Sequence, residues 1–482
     1  MIFNLNNNQK GEKVVLNFIR KKGVVLITLA AVVASLFASI NVTAASFPYN
    51  AKYPYGFSSL ASSQAEAKTM LDSEWQSWKA AHITSNGAGG FKRVQRDAST
   101  KYDTVSEGLG YGLILAVYFD KQALFNDLFG YVKAHTNGKG FMNWHIDPNG
   151  SPTTNDGGSD GATDADEDIA LALIFAHKKW GSDGSVNYQQ EAQNLLRNFM
   201  QYAIDGTVLK PGESWGGSQV TNPSYFAPAW YKIFAKFTGD NRWIQVADKC
   251  YEIIDKVNAR NNNTGLVPDW CTADGTPASG KGYDFYYDAT RYPWRTAIDY
   301  SWFGDERAKA NCDKITAFYK GVGADNIVDG YTITGGKKGQ YKNASFVAPA
   351  AAGTMTGLDL DFAKTMYDRC IEVKDSGDYQ YYGNALRMMI LLYITGNFPN
   401  LYEDVIPNQD PSPSGGSSGE IKGDLNADQK VNSTDYALMR RYILGIINDL
   451  PAENDLYVAD MNDDGRINST DYAALKRVLL NN

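Results

Sequence analysis

Hydrophobic and polar positions alternate along residues 62–394 in a pattern that repeats about every thirty residues. Within each repeat, apolar residues recur at the three- and four-residue spacing of an amphipathic helix. The pattern predicts helices over 62–82, 104–119, 121–135, 163–180, 188–202, 223–238, 242–259, 288–303, 306–321, 344–355, 358–374 and 383–394.

Two kinds of helix alternate in this series. Every second helix, beginning with the one at 104, is rich in small and apolar residues and is predicted to be buried on nearly every side. The intervening helices carry Lys, Arg, Glu and Gln on one face, as half-exposed helices do. Six buried helices inside six half-exposed ones predict an all-α fold, an (α/α)6 barrel.

The loops that precede several of the buried helices are long and rich in Gly, Asp, Trp and Tyr, at 136–162, 206–222, 260–287 and 374–382. Long loops in a compact domain are usually functional or disordered, and this aromatic content favours function. We expect these loops to lie at one end of the barrel and to line a cleft.

The composition narrows the class of ligand. Thirty Tyr and ten Trp exceed the needs of a core, and aromatic faces stack on sugars as well as on bases. The net charge of -8 argues against nucleic acid. Four scattered Cys and four His give little support to a disulfide scaffold, a zinc site or a Ser-His-Asp triad.

Residues 1–45 have the features of a secretory signal peptide. Basic residues at 20–22 precede an apolar run over 23–40, and small residues follow at 42–45. A membrane anchor is the alternative, because the run approaches the minimum length that spans a bilayer. Cleavage would remove five Lys/Arg and one Glu, which leaves an acidic extracellular protein with a net charge of -12.

The remaining sequence divides into residues 46–405, a Pro/Gly/Ser-rich linker at 406–420, and a C-terminal domain at 421–482. A twelve-residue segment in the C-terminal domain occurs twice, 36 residues apart, at 424–435 and 460–471. Such a short internal repeat predicts two similar structural units.

Both repeated segments have the oxygen-rich spacing of an EF-hand calcium loop, with a backbone carbonyl as the ligand at position 7. Position 12 is Asp in place of Glu, and the first loop has Gln429 where the second has Gly465. The predicted ligand positions are Asp424, Asn426, Asp428, Lys430, Asn432 and Asp435, and Asp460, Asn462, Asp464, Arg466, Asn468 and Asp471.

Each loop leads into a single predicted helix, and this duplicated half EF-hand resembles the type I dockerin domain of clostridial cellulosomal enzymes. The resemblance implies that two structural calcium ions bind and that the domain docks to the cohesin domain of a scaffoldin. It also implies that Ser433-Thr434 and Ser469-Thr470 are the cohesin recognition pairs. The alternative is a calcium module that only stabilises the C-terminus.

Acidic residues at the starts of three buried helices are the candidate chemistry. Glu107 stands among glycines at the first of them, and small residues at 108, 110 and 112 suggest room for a wide ligand. The run 164–168 has four acids, and Asp288 comes three residues before Arg291. Helix capping, the helix dipole or a plain ion pair are the alternatives for each group.

Segments 102–112, 162–170, 222–226 and 287–299 resemble the signature segments of glycoside hydrolase family 8, close to clostridial endoglucanases. The resemblance extends over nearly all of residues 47–398. It implies an (α/α)6 barrel and an inverting endo-β-1,4-glucanase that needs no catalytic metal.

The resemblance also assigns roles to residues. It implies that Glu107 is the general acid, that Asp288 is the general base, and that Asp164 binds and distorts the sugar. It implies that Tyr225 and Arg291 position the water and Asp288.

The expected sugar-stacking residues are Trp144, Trp215, Tyr379 and Tyr382, any of which equally suits a core. An inverting site needs one protonated and one ionised carboxyl, so the pKa of Glu107 should be raised while Asp288 stays ionised beside Arg291.

Several alternatives stay open at this point. Family 8 also contains xylanases, chitosanases and lichenases, and the cleft aromatics do not separate them. A non-catalytic sugar-binding subunit is a different class of function, which hydrolysis would exclude. A terpenoid cyclase on the same barrel would use the acids of 164–168 for metal and diphosphate, but secretion and a dockerin argue against it.

Overall fold

The structure is a computed structural model that describes residues 46–403, 421–426, 430–444, 447, 450, 458–461 and 467–481. Its internal contacts divide the chain into two compact units, 1–408 and 409–482, which we describe separately. The predicted signal peptide and linker lie outside the described residues. Among the residues that are described, no helix is long and apolar enough to cross a membrane.

Within residues 46–403, the structure contains twelve α-helices at the positions that the hydrophobic pattern predicts. They are α1 (Gln64–His82), α2 (Ser106–Tyr118), α3 (Gln122–Ala134), α4 (Thr163–Trp180), α5 (Tyr188–Tyr202), α6 (Pro228–Thr238), α7 (Arg242–Asn258), α8 (Tyr292–Phe303), α9 (Glu306–Val322), α10 (Ala344–Gly353), α11 (Leu360–Glu372) and α12 (Tyr381–Ile394).

The even-numbered helices form a closed inner ring. Each contacts the next one in the series, and α12 returns to contact α2. Each odd-numbered helix from α3 to α11 packs outside the inner helix before it, and α1 packs outside α12. This arrangement confirms the predicted (α/α)6 barrel.

The glycines of α2 serve close packing inside the barrel. A Cβ at Gly108 would lie 2.6 Å from the hydroxyl of Tyr381, and one at Gly112 would lie 2.9 Å from a Val94 methyl group. At Gly110 it would lie 3.0 Å from the Cβ of Asp168. The expectation that these small residues leave room for a ligand is therefore wrong, because protein atoms fill the space beside all three.

Two of the predicted inner helices begin with a separate 3-10 turn. Pro223–Tyr225 forms such a turn before α6, and extended Phe226 and the early proline Pro228 separate it from the helix. Ala289–Arg291 forms another turn directly before α8. These turns hold residues that face the barrel end, as described below.

The described part of the chain also contains four two-stranded antiparallel sheets, which the helical pattern does not predict. β3 (Thr104–Val105) pairs with β4 (His145–Ile146), and this pairing fixes the loop of Trp144 beside the start of α2. The other pairs are β1 (Ile83–Thr84) with β2 (Arg93–Val94), β5 (Ile204–Asp205) with β6 (Val208–Leu209), and β7 (Asp284–Phe285) with β8 (Tyr331–Thr332).

All four cysteines of the chain are free thiols buried in the barrel, at Cys250, Cys271, Cys312 and Cys370. Burial raises the pKa of Cys271 to about 12. Burial also raises the pKa of Cys370 to about 12, although the positive charge of Arg387 acts in the opposite direction. A buried thiol that stays protonated is a poor nucleophile, so these cysteines are packing residues.

The second unit contains α13 (Ser433–Ile443) and α14 (Ser469–Asn481), one after each repeated loop. The helices contact each other, and the rings of Tyr436 and Tyr472 stack with their centres 4.0 Å apart. The acid at position 12 of each loop, Asp435 or Asp471, accepts backbone N–H bonds from its own loop. Both loops are thus closed on the helix that follows them.

Candidate active site

The N-terminal ends of the inner helices meet at one end of the barrel, where the long loops also lie. Glu107 belongs to the first turn of α2 and Asp164 to the first turn of α4. Asp288 comes directly before the 3-10 turn that precedes α8, and Arg291 is the last residue of that turn. Together with Arg96, Val105, Ser106, Trp144, Ala162, Tyr225, Tyr287, Tyr381 and Tyr382, they line a cavity of about 310 Å³.

Arg291 connects the three candidate carboxylates. Its Nη1 lies 2.8 Å from Oε2 of Glu107 and 2.6 Å from Oδ2 of Asp164. Its Nη2 lies 3.0 Å from Oδ1 of Asp288 and 3.0 Å from Oγ of Ser224. The Arg291 side chain is 2% exposed, so its fork fixes all three acids in one buried array.

This array favours a proton on Glu107. Burial raises the pKa of Glu107 to about 7, against the opposing effect of the Arg291 charge, and the charges of Asp164 and Asp288 raise it further. One guanidinium cannot balance three ionised carboxylates at a site where Arg291 and Asp164 are buried. The hydroxyl of Tyr381 donates to Oε1 of Glu107 at 3.4 Å, and this long bond acts in the opposite direction because it favours the ionised carboxylate.

Asp288 stands at the more open side of the array, with 35% of its side chain exposed. Burial raises its pKa above the ordinary value, whereas the Arg291 charge lowers it. The charge of Asp164 acts in the same direction as burial, and the charge of Lys281 opposes them. Asp288 therefore has both a route to solvent and a direct cationic partner.

Asp164 has one carboxylate oxygen that the protein leaves unused. Oδ2 pairs with Arg291, whereas the buried Oδ1 has no hydrogen-bond partner anywhere in the part of the chain that the structure describes. A buried acceptor without a partner is costly, and a sugar hydroxyl in the cavity would satisfy it.

The other acids of α4 have different surroundings. Glu167 and Asp168 form buried ion pairs with Arg295, at 3.0 Å and 2.9 Å. Asp166 accepts the backbone N–H of Met142 at 3.0 Å and so fixes the loop before α4. Of the four acids between 164 and 168, only Asp164 lines the cavity.

Two larger cavities adjoin the central one and share lining residues with it. One, of about 410 Å³, is lined by Trp144, Trp215 and Trp270 and reaches Tyr225 and Asp288. The other, of about 720 Å³, lies on the side of α12 and is lined by Tyr287, Tyr341, Tyr379, Tyr381 and Tyr382. The cleft thus has aromatic side chains on both sides of the carboxylates.

The four predicted stacking residues separate into two pairs. Trp144 and Trp215 lie on the first side of the cleft, and Tyr379 and Tyr382 on the second. Trp215 is 38% exposed and Tyr379 is 81% exposed, so both offer an accessible ring. The hydroxyl of Tyr382 donates to the backbone carbonyl of Tyr287, which fixes its ring.

The cleft also contains residues that the sequence does not single out. Trp270 lies beside Trp215 with ring centres 5.7 Å apart, and the Lys281 ammonium lies within 4.8 Å of both ring centres. Arg96 lines the central cavity and forms a two-bond ion pair with Asp103. The aromatic content of the 260–287 loop could have indicated Trp270 as a binding residue. No feature of the neighbouring sequence indicates Arg96.

The calcium loops have buried acids at both ends. Asp424, Asp435, Asp460 and Asp471 are at most 6% exposed, which suits a bound divalent cation in so small a unit. Four predicted ligand positions, Asp428, Asn462, Asp464 and Arg466, lie outside the described residues. Among the residues that are described, no group of three or more His, Cys, Asp or Glu is arranged to hold a metal ion.

Comparison with known families gives two matches. Residues 45–396 match the family described as "Glycosyl hydrolases family 8", and residues 422–480 match "Dockerin type I domain". The first match covers the barrel and its cleft, and the second covers the unit with the repeated loops.

Comparison with individual proteins gives relatives along most of the chain. "Endoglucanase A" of Acetivibrio thermocellus is 58% identical over 445 residues, which cover 91% of this chain and 93% of that protein. "Endoglucanase 2" of Ruminiclostridium josui is 58% identical over 426 residues, covering 87% and 90%. Among solved structures, the apo β-1,3-1,4-glucanase of Paenibacillus sp. X4 superposes with a TM-score of 0.68 at 29% identity, covering 74% of this chain and 99% of that one.

Proposed function

Because this chain belongs to glycosyl hydrolases family 8, we propose that its cleft hydrolyses internal β-1,4 bonds of cellulose and related β-glucans with inversion. The protein is a glycoside hydrolase of the endoglucanase type, like the curated relatives that are 57–58% identical to it over 416 to 445 residues. The observation that carries the mechanism is the array of Glu107, Asp164 and Asp288 around Arg291, with aromatic rings on both sides.

In the proposed reaction Glu107 gives its proton to the glycosidic oxygen. A pKa of about 7 keeps a large fraction of Glu107 protonated in neutral and acidic solution. As the bond breaks, the new negative charge on Glu107 forms 2.8 Å from Nη1 of Arg291, which stabilises it.

Asp288 is the proposed general base, which removes a proton from the attacking water. The two terminal nitrogens of a guanidinium are about 2.3 Å apart by bond geometry, so Oε2 of Glu107 and Oδ1 of Asp288 lie at most about 8 Å apart. This limit admits the lower part, about 6.5 to 8 Å, of the separations of about 6.5 to 9.5 Å with which inverting enzymes hold a water between the carboxyls. The ring centre of Tyr225 lies 5.1 Å from the Arg291 guanidinium, and Tyr225 lines the same cavity.

Asp164 is proposed to hold the sugar at the cleavage point through its unused Oδ1. A hydrogen bond to a sugar hydroxyl that strengthens as the ring flattens toward the transition state contributes to rate as well as binding. The rings of Trp144 and Trp215 on one side and Tyr379 and Tyr382 on the other would stack sugars of a long chain. Binding on both sides of the carboxylates is what internal cleavage requires.

The test is to measure reducing ends released by the full chain from soluble cellulose, mixed-linkage glucan, xylan and chitosan. Fastest cleavage of soluble cellulose, with a fall in viscosity well ahead of reducing-end release, supports the endo-β-1,4-glucanase. Proton NMR of fresh products should show the α-anomer first, as inversion of a β-bond requires. Preference for mixed-linkage glucan, xylan or chitosan would assign the cleft to a lichenase, xylanase or chitosanase, and no cleavage would favour a sugar-binding subunit.

The rate should depend on pH as a bell-shaped curve. The acid must hold its proton, so kcat/KM is expected to fall as pH rises through about 7, the pKa of Glu107. The base must be ionised, so kcat/KM should also fall as pH drops through the pKa of Asp288, which lies above its ordinary value. Initial rates on a soluble glucan across this range check the curve, and a rate that keeps rising well above pH 7 would exclude Glu107 as the donor.

The C-terminal unit is a type I dockerin domain, which is a calcium-binding module. We propose that it binds two structural calcium ions, one in each repeated loop, and docks to a cohesin domain of a scaffoldin. Ser433, Thr434, Ser469 and Thr470 are exposed at the starts of α13 and α14, as recognition residues need to be. Residues 1–45 are proposed to direct secretion, which would place the enzyme on an extracellular cellulosome.

Calcium removal is expected to unfold the dockerin domain and leave the barrel active. Each loop buries acids that repel one another once the cation is gone, so helical signal and cohesin binding should be lost in a chelator. When calcium is titrated into the calcium-free protein, calorimetry should show two bound ions per chain. The Asp471→Ala variant should bind one. The rate on a soluble glucan is the internal control, and a chelator-sensitive rate would contradict the assignment of calcium to this domain alone.

A further inference from the structure

Asp269 lies in the loop before β7 and belongs to none of the groups described so far. Its Oδ1 accepts the backbone N–H of Ala289 at 2.8 Å and that of Tyr286 at 3.2 Å. These two residues stand on either side of Asp288 in the chain. One carboxylate oxygen from a distant segment thus holds the backbone around the proposed base.

The bond to Ala289 satisfies the first backbone N–H of the turn that follows Asp288. Asp288 occupies the N-cap position of the 3-10 turn Ala289–Arg291, where an Asp side chain commonly accepts an N–H of the turn. Here the Asp288 side chain makes no capping bond, and its Oδ1 instead pairs with Arg291. Asp269 caps the turn from outside, which leaves the Asp288 carboxylate directed at the cavity.

Asp269 is itself firmly held. Its backbone N–H donates to the carbonyl of Asp284 in β7 at 2.8 Å. Two residues later, Cys271 exchanges two backbone bonds with Thr221, which precedes the turn that carries Ser224. The segment 269–271 therefore connects the turn that carries Ser224 with the turn that follows Asp288 and ends at Arg291.

We propose that Asp269 is a positioning residue for the general base, which fixes the Asp288 turn by capping it with Oδ1 so that the carboxylate faces the attacking water. This inference rests on the proposed role of Asp288. Asp269 touches no substrate in this arrangement, and it acts only through the orientation of Asp288.

Asp269 does not need to be charged in order to position Asp288. Burial and the neighbouring charge of Asp288 raise the pKa of Asp269 to about 7, against the bonds from Ala289 and Tyr286 and the charge of Arg291. Two further charges shift the pKa of Asp288. Asp164, in α4, raises it, and Lys281, in the loop that also contains Asp269, lowers it. In acidic solution the group is therefore largely neutral, and its oxygen still accepts both bonds.

Asn at this position keeps an acceptor oxygen, and the two backbone donors fix its orientation. Asp269→Asn is thus expected to retain most of the wild-type kcat on soluble cellulose. Asp269→Ala removes the acceptor, and a displaced catalytic group is expected to lower kcat about 100-fold. KM and calorimetric binding of a cello-oligosaccharide should stay near the wild-type values in both, because no substrate contact is lost. Loss of fold alone would instead lower the melting temperature and the number of binding sites.

The matched control is Asp274→Ala, which changes an exposed acid of the same loop that pairs with Lys256 on the outer surface. It should leave kcat unchanged. If Asp269→Ala does not fold, Asp269→Leu fills the same space without an acceptor and is expected to show the same loss. A kcat for the folded Ala or Leu variant within about threefold of wild type overturns the proposal, as does an equal loss in Asp269→Asn.

The role of Asp288 is tested separately by Asp288→Asn. Full activity of that variant would overturn the assignment of the base itself. An inactive Asp288→Asn beside a fully active Asp269→Ala would overturn only the inference about Asp269.

Discussion

Glu107→Gln is expected to lower kcat on soluble cellulose by about 10²- to 10⁴-fold, since general acid catalysis contributes that much to a rate. The amide has the shape of the acid and can still accept the bond from Arg291, but it has no proton to give to the glycosidic oxygen. Binding of a cello-oligosaccharide, measured by calorimetry, should be retained because the stacking residues are unchanged.

A substrate with a good leaving group separates this role from a general loss of the site. A dinitrophenyl β-cellobioside needs little protonation of its leaving oxygen, so the variant should lose far less rate on it than on cellulose. Glu191→Gln, on the outer helix α5 where it pairs with Lys133, is the control and should behave as wild type. A near wild-type rate of Glu107→Gln on cellulose would show that another group is the donor.

Asp288→Asn is expected to lower kcat by a similar factor of about 10²- to 10⁴-fold, but with a different substrate dependence. The base activates water whatever the leaving group is, so the loss should be as large on the dinitrophenyl glycoside as on cellulose. The amide cannot take up a proton, and the substitution also removes a negative charge beside Arg291. The alkaline limb of the pH profile should then move to lower pH, since the pKa of Glu107 falls when a neighbouring negative charge is removed.

The control for this variant is Asp248→Asn, an exposed acid on α7 that pairs with Arg307. It should change neither the rate nor the pH profile. If Asp288→Asn loses rate on cellulose alone, Asp288 acts at the leaving group and the two roles are interchanged. If it loses rate on neither substrate, the base is another residue.

The helical pattern of the sequence was sufficient to place the twelve barrel helices, and the repeats were sufficient to place α13 and α14. The period of a helix is a local property, so buried and half-exposed helices are distinguishable from composition alone. The two-residue strands were not predictable, because two residues carry no period. The helical pattern predicts continuous helix across the 3-10 turns before α6 and α8, because a single turn contains the same residue types as the start of an α-helix.

The candidate acids were also recognisable in the sequence, because carboxylates at the starts of buried helices are unusual enough to be noticed. The different roles of these acids could not be recognised in the sequence. All four acids of 164–168 lie at one helix start, yet Asp164 alone faces the cavity while Glu167 and Asp168 face Arg295. One residue along a helix turns a side chain by about 100°, so which neighbour it meets depends on how the helices pack.

The sequence by itself determined the helices, the closed alternation of inner and outer layers, the repeated calcium loops and the set of acids from which the chemistry is drawn. Only the tertiary structure decided the array around Arg291, which joins residues 184 and 127 positions apart, and the cap that Asp269 supplies to the Asp288 turn. The physical reason is that helix formation follows from neighbours along the chain. An ion pair or a cap depends on distances of a few ångströms between segments that meet only when the barrel closes.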